Sequence, residues 1–266
     1  MKVAFIGGGN MGEAILAAIL AKGLISKETT SVSDVSESRR QYLGQKYGVT
    51  VVGDNRQVVS KGDIVVLAIK PQQLAEVMAE LNSQLKPSQL VLSIIAGARI
   101  STLRRGLSHN HIVRVMPNTP AQIGKGMSAW TATKEVTKQQ KEWAGAILGA
   151  MGKEIYVDDE KYIDMATAVS GSGPAYVFLF AEALVDAATH IGLSYDIAQE
   201  LVLQTILGST QFMQQSGKLP SELRRMVTSP GGTTAEALAQ FEKGQFAELV
   251  KQAVIAAYNK AKKLGD

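Results

Sequence analysis

A chain of 266 residues with 45% hydrophobic and 20% charged residues has the composition of a globular protein, and its length favours two domains. The lack of cysteine excludes disulfides, zinc–thiolate sites and thiol catalysis, and no metal site is expected. The formal net charge is +4, but the basic residues are scattered among acids, so no nucleic-acid partner is expected. We expect no signal peptide and no apolar run as long as a membrane span, which predicts a cytoplasmic protein without a membrane partner.

The chain begins with an apolar strand, Val3 to Ile6, a glycine-rich loop and an Ala/Leu/Ile-rich helix. The loop has the pattern GxGxxG, in which Gly7 suits the tight turn, Gly9 the approach of a pyrophosphate and Gly12 the packing of helix on strand. Between a strand and a helix this pattern favours a dinucleotide site over a structural turn. The predicted cofactor-binding residues here are Gly7, Gly9, Asn10, Met11 and Gly12.

An acidic residue ends the next predicted strand, Thr29 to Ser33. Asp34 stands 22 residues after Gly12, where a carboxylate accepts hydrogen bonds from the adenosine ribose. Its charge repels a 2′-phosphate and favours NADH. The serines and arginines of Ser36-Glu37-Ser38-Arg39-Arg40 could instead receive that phosphate, and Ser36 could simply cap a helix. The choice between NADH and NADPH therefore stays open.

Apolar strands continue to alternate with amphipathic helices, which predicts an α/β fold with a doubly wound, mostly parallel sheet of the Rossmann type over residues 1–158. Further strands are predicted at Val49–Val52, Ile64–Ile69, Leu90–Ile94, His111–Met116, Met127–Ala132 and Glu154–Val157, with helices at Glu37–Tyr47, Arg56–Ser60, Gln72–Leu85 and Lys138–Met151. Ligands of such sheets bind beyond the carboxyl ends of the strands. The candidate residues there are Asn55, Ala68, Lys70, Pro71 and Asn118. Lys70 could equally be a surface lysine, and Asn118 a turn residue.

From residue 159 onward the strand signal disappears, and an all-α domain over residues 159–266 is predicted. Helices are expected at Glu160–Val169, Pro174–Ile191, Ser194–Gln215, Pro220–Val227, Ala235–Phe241 and Phe246–Leu264. The second has Ser172 as its expected N-cap and is apolar around most of its circumference, so we expect it to be buried on nearly all sides. So much apolar surface predicts a homodimer at least.

The stretch Ser229-Pro230-Gly231-Gly232-Thr233-Thr234 precedes a helix. Thr233 and Glu236 have the spacing of a capping box, which predicts an ordered helix N-terminus whose outward N–H groups bind an anion. The alternative is a rigid turn between two helices.

Reduction of a ketone requires a proton donor, usually Lys or His. The three histidines, His109, His111 and His190, are expected to be structural or exposed. A protonated imine accepts hydride without an acid from the protein. Its site needs a nest for a carboxylate and a hydroxyl near the nitrogen, and the start of the Gly-Gly-Thr-Thr helix supplies both.

Five separated blocks carry a family resemblance. They are Phe5–Gly12, Ala68–Pro71, Val115–Pro120, Val169-Ser170-Gly171-Ser172-Gly173-Pro174-Ala175-Tyr176-Val177-Phe178 and Ser229–Thr234. Together, and in this order, they resemble the pyrroline-5-carboxylate reductase family. The resemblance implies NAD(P)H-dependent reduction of L-1-pyrroline-5-carboxylate to L-proline, the last step of proline biosynthesis. It also implies a C-terminal helical domain that intertwines with a second copy in a homodimer, with larger rings of dimers in some members.

The same resemblance implies roles for particular residues. Thr234 would hydrogen-bond the ring nitrogen of the substrate, and the backbone from Gly231 to Thr234 would hold its carboxylate. Asn55 would contact the adenosine ribose and Ala68 to Pro71 the nicotinamide side. Family members that prefer NADPH often have an uncharged or basic residue where Asp34 stands, so NADPH and NADH both remain candidates. The resemblance thus implies that the substrate is bound by Ser229, Gly231, Gly232, Thr233 and Thr234.

Alternative functions come from other classes. A β-hydroxyacid dehydrogenase shares the two-domain plan but needs a catalytic lysine, and the matching stretch Ala175–Phe178 contains none. Another imine reductase would use the same site. A non-catalytic dinucleotide-binding scaffold would bind cofactor without turnover and would leave the Ser229–Thr234 block unexplained.

Overall fold

The computed structural model describes residues 1–265. Within these residues, eight strands form one sheet. The strands are β1 (Val3–Ile6), β2 (Thr30–Ser33), β3 (Thr50–Val52), β4 (Ile64–Leu67), β5 (Leu90–Ser93), β6 (Ile112–Met116), β7 (Gly126–Ala132) and β8 (Gly152–Tyr156). Their order across the sheet is β3-β2-β1-β4-β5-β6-β7-β8. Neighbouring strands are parallel except β6 and β7. The predicted Rossmann-type, mostly parallel sheet is confirmed.

Helices connect these strands and cover both faces of the sheet. They are α1 (Asn10–Ala21), α2 (Glu37–Tyr47), α3 (Asn55–Val59), α4 (Leu74–Leu81), α5 (Ile100–Leu107) and α6 (Lys138–Ala150). The α2 helix has the predicted bounds because Ser36 caps it, accepting a hydrogen bond from the backbone N–H of Arg39, and Gly48 ends it with φ of 68°. Sequence reasoning missed α5, although Leu103 and Leu107 have helical spacing and are both fully buried.

The core of this region lies on the two faces of the sheet. Alternate residues of β1 point to opposite faces: Val3 and Phe5 join a cluster with α1 and α6, while Ala4 and Ile6 join a cluster with α3, α4 and α5. All four are almost fully buried. Burial on both faces explains why the strand reads as continuously apolar in the sequence.

The remaining described residues after β8 are helical, as predicted. The helices are α7 (Lys161–Ala166), α8 (Gly173–His190), α9 (Tyr195–Ser216), α10 (Pro220–Met226), α11 (Thr233–Lys243) and α12 (Phe246–Gly265). A π-helical turn, Thr167–Gly171, joins α7 to α8. The prediction of Ser172 as the N-cap of α8 is wrong, because Ser172 has helical dihedral angles (φ −83°, ψ −20°) and the helix runs through it.

Because α7, the π-helical turn and α8 form one continuous helical run, this run is longer than any apolar segment expected from the sequence. The stretch Lys161–His190 is one run of 30 residues, and its most apolar window has a mean hydropathy of 1.3 with 11% of the window buried. By length and composition this run could span a membrane, so the expectation that no segment is long enough is wrong. In the single chain α8 is largely exposed, with Phe178 at 64% and Leu179 at 66%, so contacts within one chain do not provide the expected burial on nearly all sides.

The described residues divide into two compact units. One comprises residues 1–172 together with the end of α12 from Ala257, and the other comprises Gly173–Ala256. Within the first unit, α12 ends beside the loop after β5, where a Cβ built on Gly97 would lie 2.7 Å from the Cβ of Leu264. The division into folding domains at 158/159 stays a prediction.

Candidate functional site

A cleft of about 270 Å³ opens at the carboxyl ends of β1, β2 and β4. This is where the ligands of parallel α/β sheets bind. Six of the predicted cofactor-binding residues line it: Gly7, Gly9, Asp34, Asn55, Ala68 and Lys70.

The glycine loop forms the wall of this cleft nearest β1. Gly7 has φ of 92°, and a Cβ built on it would lie 2.6 Å from the carbonyl oxygen of Ala68. A Cβ on Gly12 would lie 2.5 Å from the carbonyl oxygen of Gly7, so side chains are excluded at both positions. Apart from Gly9 and its chain neighbours, no described residue has an atom within 4 Å of a Cβ built on Gly9. The loop therefore has the close packing and the open backbone that a bound pyrophosphate requires.

The helix that follows the loop starts without a side-chain cap among the described residues, because its N-cap is Gly9. Asn10, Met11 and Gly12 are its first three residues. The N–H groups of a first helical turn have no partner within the helix, and they favour a negatively charged ligand. This end of α1 is suited to the phosphates of a dinucleotide.

Asp34 ties the end of β2 to the glycine loop. Its Oδ2 accepts a hydrogen bond from the backbone N–H of Gly8 at 2.8 Å, and its Oδ1 accepts one from the N–H of Ser36 at 2.9 Å. The carboxylate thus lies at the cleft with both oxygens held by backbone donors. Ser36 itself does not line the cleft; its hydroxyl caps α2.

Asn55 is oriented by two side chains. Its Oδ1 accepts a hydrogen bond from the Ser33 hydroxyl at 2.6 Å, and its Nδ2 donates to Glu80 at 2.7 Å. Sequence reasoning missed Glu80, which is carried by α4 next to the buried positions Val77 and Leu81. The sequence signal for Glu80 is its place among the apolar core positions of an amphipathic helix, where a charged residue is expected to have a specific partner.

The nicotinamide-side candidates lie at the end of β4. Ala68 and Lys70 line the cleft, with Lys70 exposed at its rim and its backbone N–H donating to Gln73 at 3.3 Å. Pro71 starts a short 3₁₀ turn, Pro71–Gln73. Pro71 itself is outside the cleft lining, whereas Gln73 is part of it. The roles of these residues toward the cofactor stay predictions.

Asn118 lies outside the cleft lining and uses its whole amide group within the protein. Its Oδ1 accepts from the N–H of Met127 at 2.8 Å, and its Nδ2 donates to the carbonyl oxygen of Ser170 at 3.2 Å. It braces the π turn against the loop that follows β6. Its predicted contact with the cofactor stays a prediction.

Both arginines that could receive a 2′-phosphate have partners. Arg39 donates to the carbonyl oxygen of Gly8 and to the carboxylate of Glu13, and Arg40 donates to the carbonyl oxygen of Asp34 at 2.7 Å. Sequence reasoning missed Glu13, which also accepts hydrogen bonds from Tyr42, Lys46 and Tyr47. Only the tertiary structure brings these side chains of α1 and α2 together.

Two of the histidines lie where the sequence predicts. His109 is buried, its Nε2 lies 2.8 Å from the carbonyl oxygen of Gln89, and burial lowers its pKa. Gln89 precedes β5, so this contact belongs to the amino edge of the sheet, opposite the cleft. His190 is exposed at the end of α8. Neither contributes a side chain to the lining of the cleft.

The predicted substrate loop belongs to the second compact unit. Gly231 has φ of 69°, and the N–H of Gly232 donates to the carbonyl oxygen of Ser229 at 3.1 Å. A Cβ built on Gly232 would lie 2.5 Å from the Oγ of Ser229. The loop is therefore a tight turn that favours glycine at position 231, whereas a side chain at position 232 would require the Ser229 hydroxyl to move.

The helix after this turn differs from the prediction at its start. Gly232 is the N-cap of α11 (φ −85°, ψ 168°) and Thr233 is already helical, so the predicted capping box of Thr233 and Glu236 is wrong. No side chain among the described residues caps this helix. The first-turn N–H groups, including those of Thr233 and Thr234, remain available to an anion.

Comparison with known proteins agrees with this geometry. Residues 2–97 match the family model described as NADP oxidoreductase, coenzyme F420-dependent, and residues 160–264 match that described as pyrroline-5-carboxylate reductase dimerisation. The chain is 41% identical over 266 residues to the pyrroline-5-carboxylate reductase of Pseudomonas aeruginosa, which covers 100% of this chain and 97% of that protein. The fold, the cleft and these matches define a pyridine-nucleotide oxidoreductase. The chain belongs to the pyrroline-5-carboxylate reductase family.

Solved structures give the same relationship. A pyrroline-5-carboxylate reductase from Coxiella burnetii superposes with a TM-score of 0.91 at 38% identity, covering 100% of this chain and 98% of the other. The pyrroline carboxylate reductase of Plasmodium falciparum, with NADP bound, superposes with a TM-score of 0.92 at 36% identity and the same coverage.

Proposed function

We propose that this protein reduces L-1-pyrroline-5-carboxylate to L-proline with NADH or NADPH, the last step of proline biosynthesis. The observation that carries the proposal is similarity over the whole chain to pyrroline-5-carboxylate reductases, at 41% identity for the P. aeruginosa protein. The glycine-loop cleft and the uncapped start of α11 supply chemistry that this reaction needs: a nucleotide site and an anion site.

In the proposed mechanism the substrate binds as a protonated cyclic imine. The turn Ser229–Thr234 and the first-turn N–H groups of α11 bind its carboxylate, and the Thr234 hydroxyl accepts a hydrogen bond from the ring N–H. When bound, NAD(P)H would supply the hydride that reduces the carbon of the C=N bond, with the electron pair of that bond going to nitrogen. Thr234 orients the iminium, and no side chain has to donate a proton to it.

The cleft supports either nucleotide. Gly7, Gly9 and Asn10 to Gly12 would hold the pyrophosphate, Asn55 and Asp34 the adenosine ribose, and Ala68 to Pro71 the nicotinamide side. The carboxylate of Asp34 favours a 2′-hydroxyl and hence NADH, because a 2′-phosphate would meet a like charge. Ser36 and Asn118 complete the proposed set of cofactor-binding residues.

We further propose that the protein works in the cytoplasm as a homodimer or as a larger ring of dimers. An apolar groove of about 530 Å³ lies between α8, α11 and α12. It is lined by large side chains that include Leu179, Phe180, Phe241, Phe246 and Leu249. Covering this groove with a second copy would bury the apolar surface that makes the Lys161–His190 run resemble a membrane span.

We also propose that the chain divides into two domains, residues 1–158 and residues 159–266.

The test follows NADH and NADPH absorbance after addition of pyrroline-5-carboxylate, with proline quantified separately. We expect oxidation of one or both nucleotides and one proline formed for each nucleotide oxidised. Nucleotide binding without proline formation from either cofactor would overturn the proposal and favour a non-catalytic scaffold. Oxidation of β-hydroxyacids with NAD(P)⁺, in place of imine reduction, would favour the dehydrogenase alternative.

A further inference from the structure

Glu13 is the centre of a charged cluster under the glycine loop. It lies in the first turn of α1, and its side chain is 16% exposed. One carboxylate oxygen, Oε1, accepts hydrogen bonds from Lys46 at 2.9 Å, Tyr47 at 2.8 Å and Tyr42 at 3.0 Å. The other, Oε2, pairs with Arg39. The carboxylate is therefore fully occupied by donors from α2.

The partner that matters for the nucleotide is Arg39. Its Nε donates to the carbonyl oxygen of Gly8 and its Nη2 to Glu13, so two of its donors and its charge are directed toward the glycine loop and α1. Its side chain is 24% exposed. It lies three residues after Ser36, in the segment that follows the ribose-side carboxylate of Asp34.

We infer that Glu13 is a specificity-determining residue of the nucleotide site, which lowers the affinity for a 2′-phosphate by holding Arg39 away from it. The inference rests on the proposed pyridine-nucleotide function and adds a residue that lies outside the lining of the cleft. In this arrangement Asp34 presents its negative charge to the ribose, while the charge of Arg39 is neutralised by a second carboxylate, that of Glu13.

The chemistry of the groups supports this role. Arginine binds phosphate through several N–H donors at once, so a guanidinium whose donors are already used binds a new phosphate less well. Burial raises the pKa of Glu13, but hydrogen bonds from Lys46, Tyr47, Arg39 and Tyr42 outweigh it and lower the pKa to about 2. The carboxylate is therefore ionised at every pH at which the protein would work.

The second arginine does not remove the effect. Arg40 donates to the backbone carbonyl oxygens of Asp34 at 2.7 Å and Val35 at 3.1 Å, which are uncharged partners. Its charge is the same in the wild type and in any Glu13 variant, so it cancels from a comparison of the two. A gain in Glu13→Gln that is lost when Arg39 is also replaced must therefore come from the release of Arg39.

The experiment measures binding of 2′,5′-ADP and 5′-AMP by isothermal titration calorimetry, since these ligands differ by the 2′-phosphate and need no turnover. Glu13→Gln keeps the side-chain shape and removes the charge. We expect the affinity ratio of 2′,5′-ADP to 5′-AMP to rise about threefold to fivefold, the worth of one partly exposed ion pair. Arg39→Gln alone should change this ratio less, and the double variant should lose the gain.

Lys46→Gln is the matched control, because Lys46 contacts Oε1 of Glu13 and leaves the Arg39 pair on Oε2 intact. Its ratio should equal that of the wild type. An unchanged ratio in Glu13→Gln, or an equal gain in the double variant, would overturn the inference. If circular dichroism shows that Glu13→Gln does not fold, Glu13→Asp, whose side chain is one methylene shorter, replaces it.

Both ligands bind without reacting, so this binding experiment can be interpreted even if the protein has no reductase activity.

Discussion

The carboxylate of Asp34 accepts a hydrogen bond at 2.8 Å from the backbone N–H of Gly8, so the end of β2 and the glycine loop are joined directly across 26 residues of sequence. The contact holds a negative charge at the edge of the proposed nucleotide cleft. It also gives Asp34 a structural role, which any test of its role in cofactor choice must separate from its charge.

We expect Asp34→Asn and Asp34→Ser to raise kcat/KM with NADPH relative to NADH by about fivefold or more, since removing one like charge near a phosphate is worth about 1 kcal/mol at a surface. Asn can still accept one of the two backbone hydrogen bonds, whereas Ser is shorter, so Ser should also weaken binding of both nucleotides. The control is Asp63→Asn, which removes a carboxylate that binds the N–H of Lys2 at the opposite edge of the sheet. An unaltered cofactor ratio in both Asp34 variants would mean that this charge does not act on the 2′ position.

Thr234→Ala should lower kcat/KM for pyrroline-5-carboxylate by about tenfold or more, because one hydrogen bond near a charged group is lost. Steady-state kinetics at saturating nucleotide measure this. Thr228→Ala is the matched control, since the Thr228 hydroxyl donates at 2.6 Å to the carbonyl oxygen of Arg224 within the same unit and lies outside the proposed site. Equal kinetics for Thr234→Ala and the wild type would remove Thr234 from the mechanism.

Gly231→Ala should raise KM for the substrate severalfold and reduce stability by about 1 kcal/mol, because alanine is strained at φ of 69°. Gly217 ends α9 at φ of 64°. Apart from each glycine and its chain neighbours, no described residue has an atom within 4 Å of a Cβ built on Gly217 or Gly231. Gly217→Ala should therefore cost similar stability in urea unfolding without changing KM. If KM rises equally in both variants, the effect is general destabilisation and the carboxylate-binding role of the turn is wrong.

Arg114→Met should destabilise the protein by about 3–5 kcal/mol, because it leaves two carboxylates without their buried partner. The Arg114 side chain is 3% exposed and pairs with Glu160 at 2.8 Å and Asp164 at 2.7 Å. Urea unfolding measures the loss. Arg104→Met is the control, since its pair with Glu135 is exposed (49% and 37%) and should contribute at most about 1 kcal/mol. Similar losses in the two variants would mean that burial does not strengthen the Arg114 network.

Sedimentation velocity should detect no folded monomer at micromolar concentration, because the groove between α8, α11 and α12 exposes too much apolar surface for one protomer. Leu179→Lys, which places a charge in this groove, should produce monomer with a lower melting temperature. A wild-type protein that sediments as a folded monomer over this range would contradict the proposed dimer.

The sequence alone determined the elements whose signals are local. Val3–Ile6 and Glu37–Tyr47 were predicted with their observed bounds, since an apolar run bounded by glycine marks the strand and Ser36 and Gly48 mark the ends of the helix. The glycine pattern predicted a cleft at the end of β1, where backbone atoms leave no room for a side chain at Gly7 or Gly12 and the space around Gly9 is open. The family resemblance likewise needed only the order of five blocks.

The tertiary structure decided how distant side chains pair. The bonds from Arg39 to Glu13, from Asn55 to Glu80 and from Asn118 to Ser170 join residues 26, 25 and 52 positions apart, and no periodic pattern records them. It also moved the cap of α11 from Thr233 to Gly232, which leaves the helix end open. Backbone preferences are set within a few residues of sequence. The partners of a charged group depend on which strands and helices the folded sheet brings together, so they appear only in the structure.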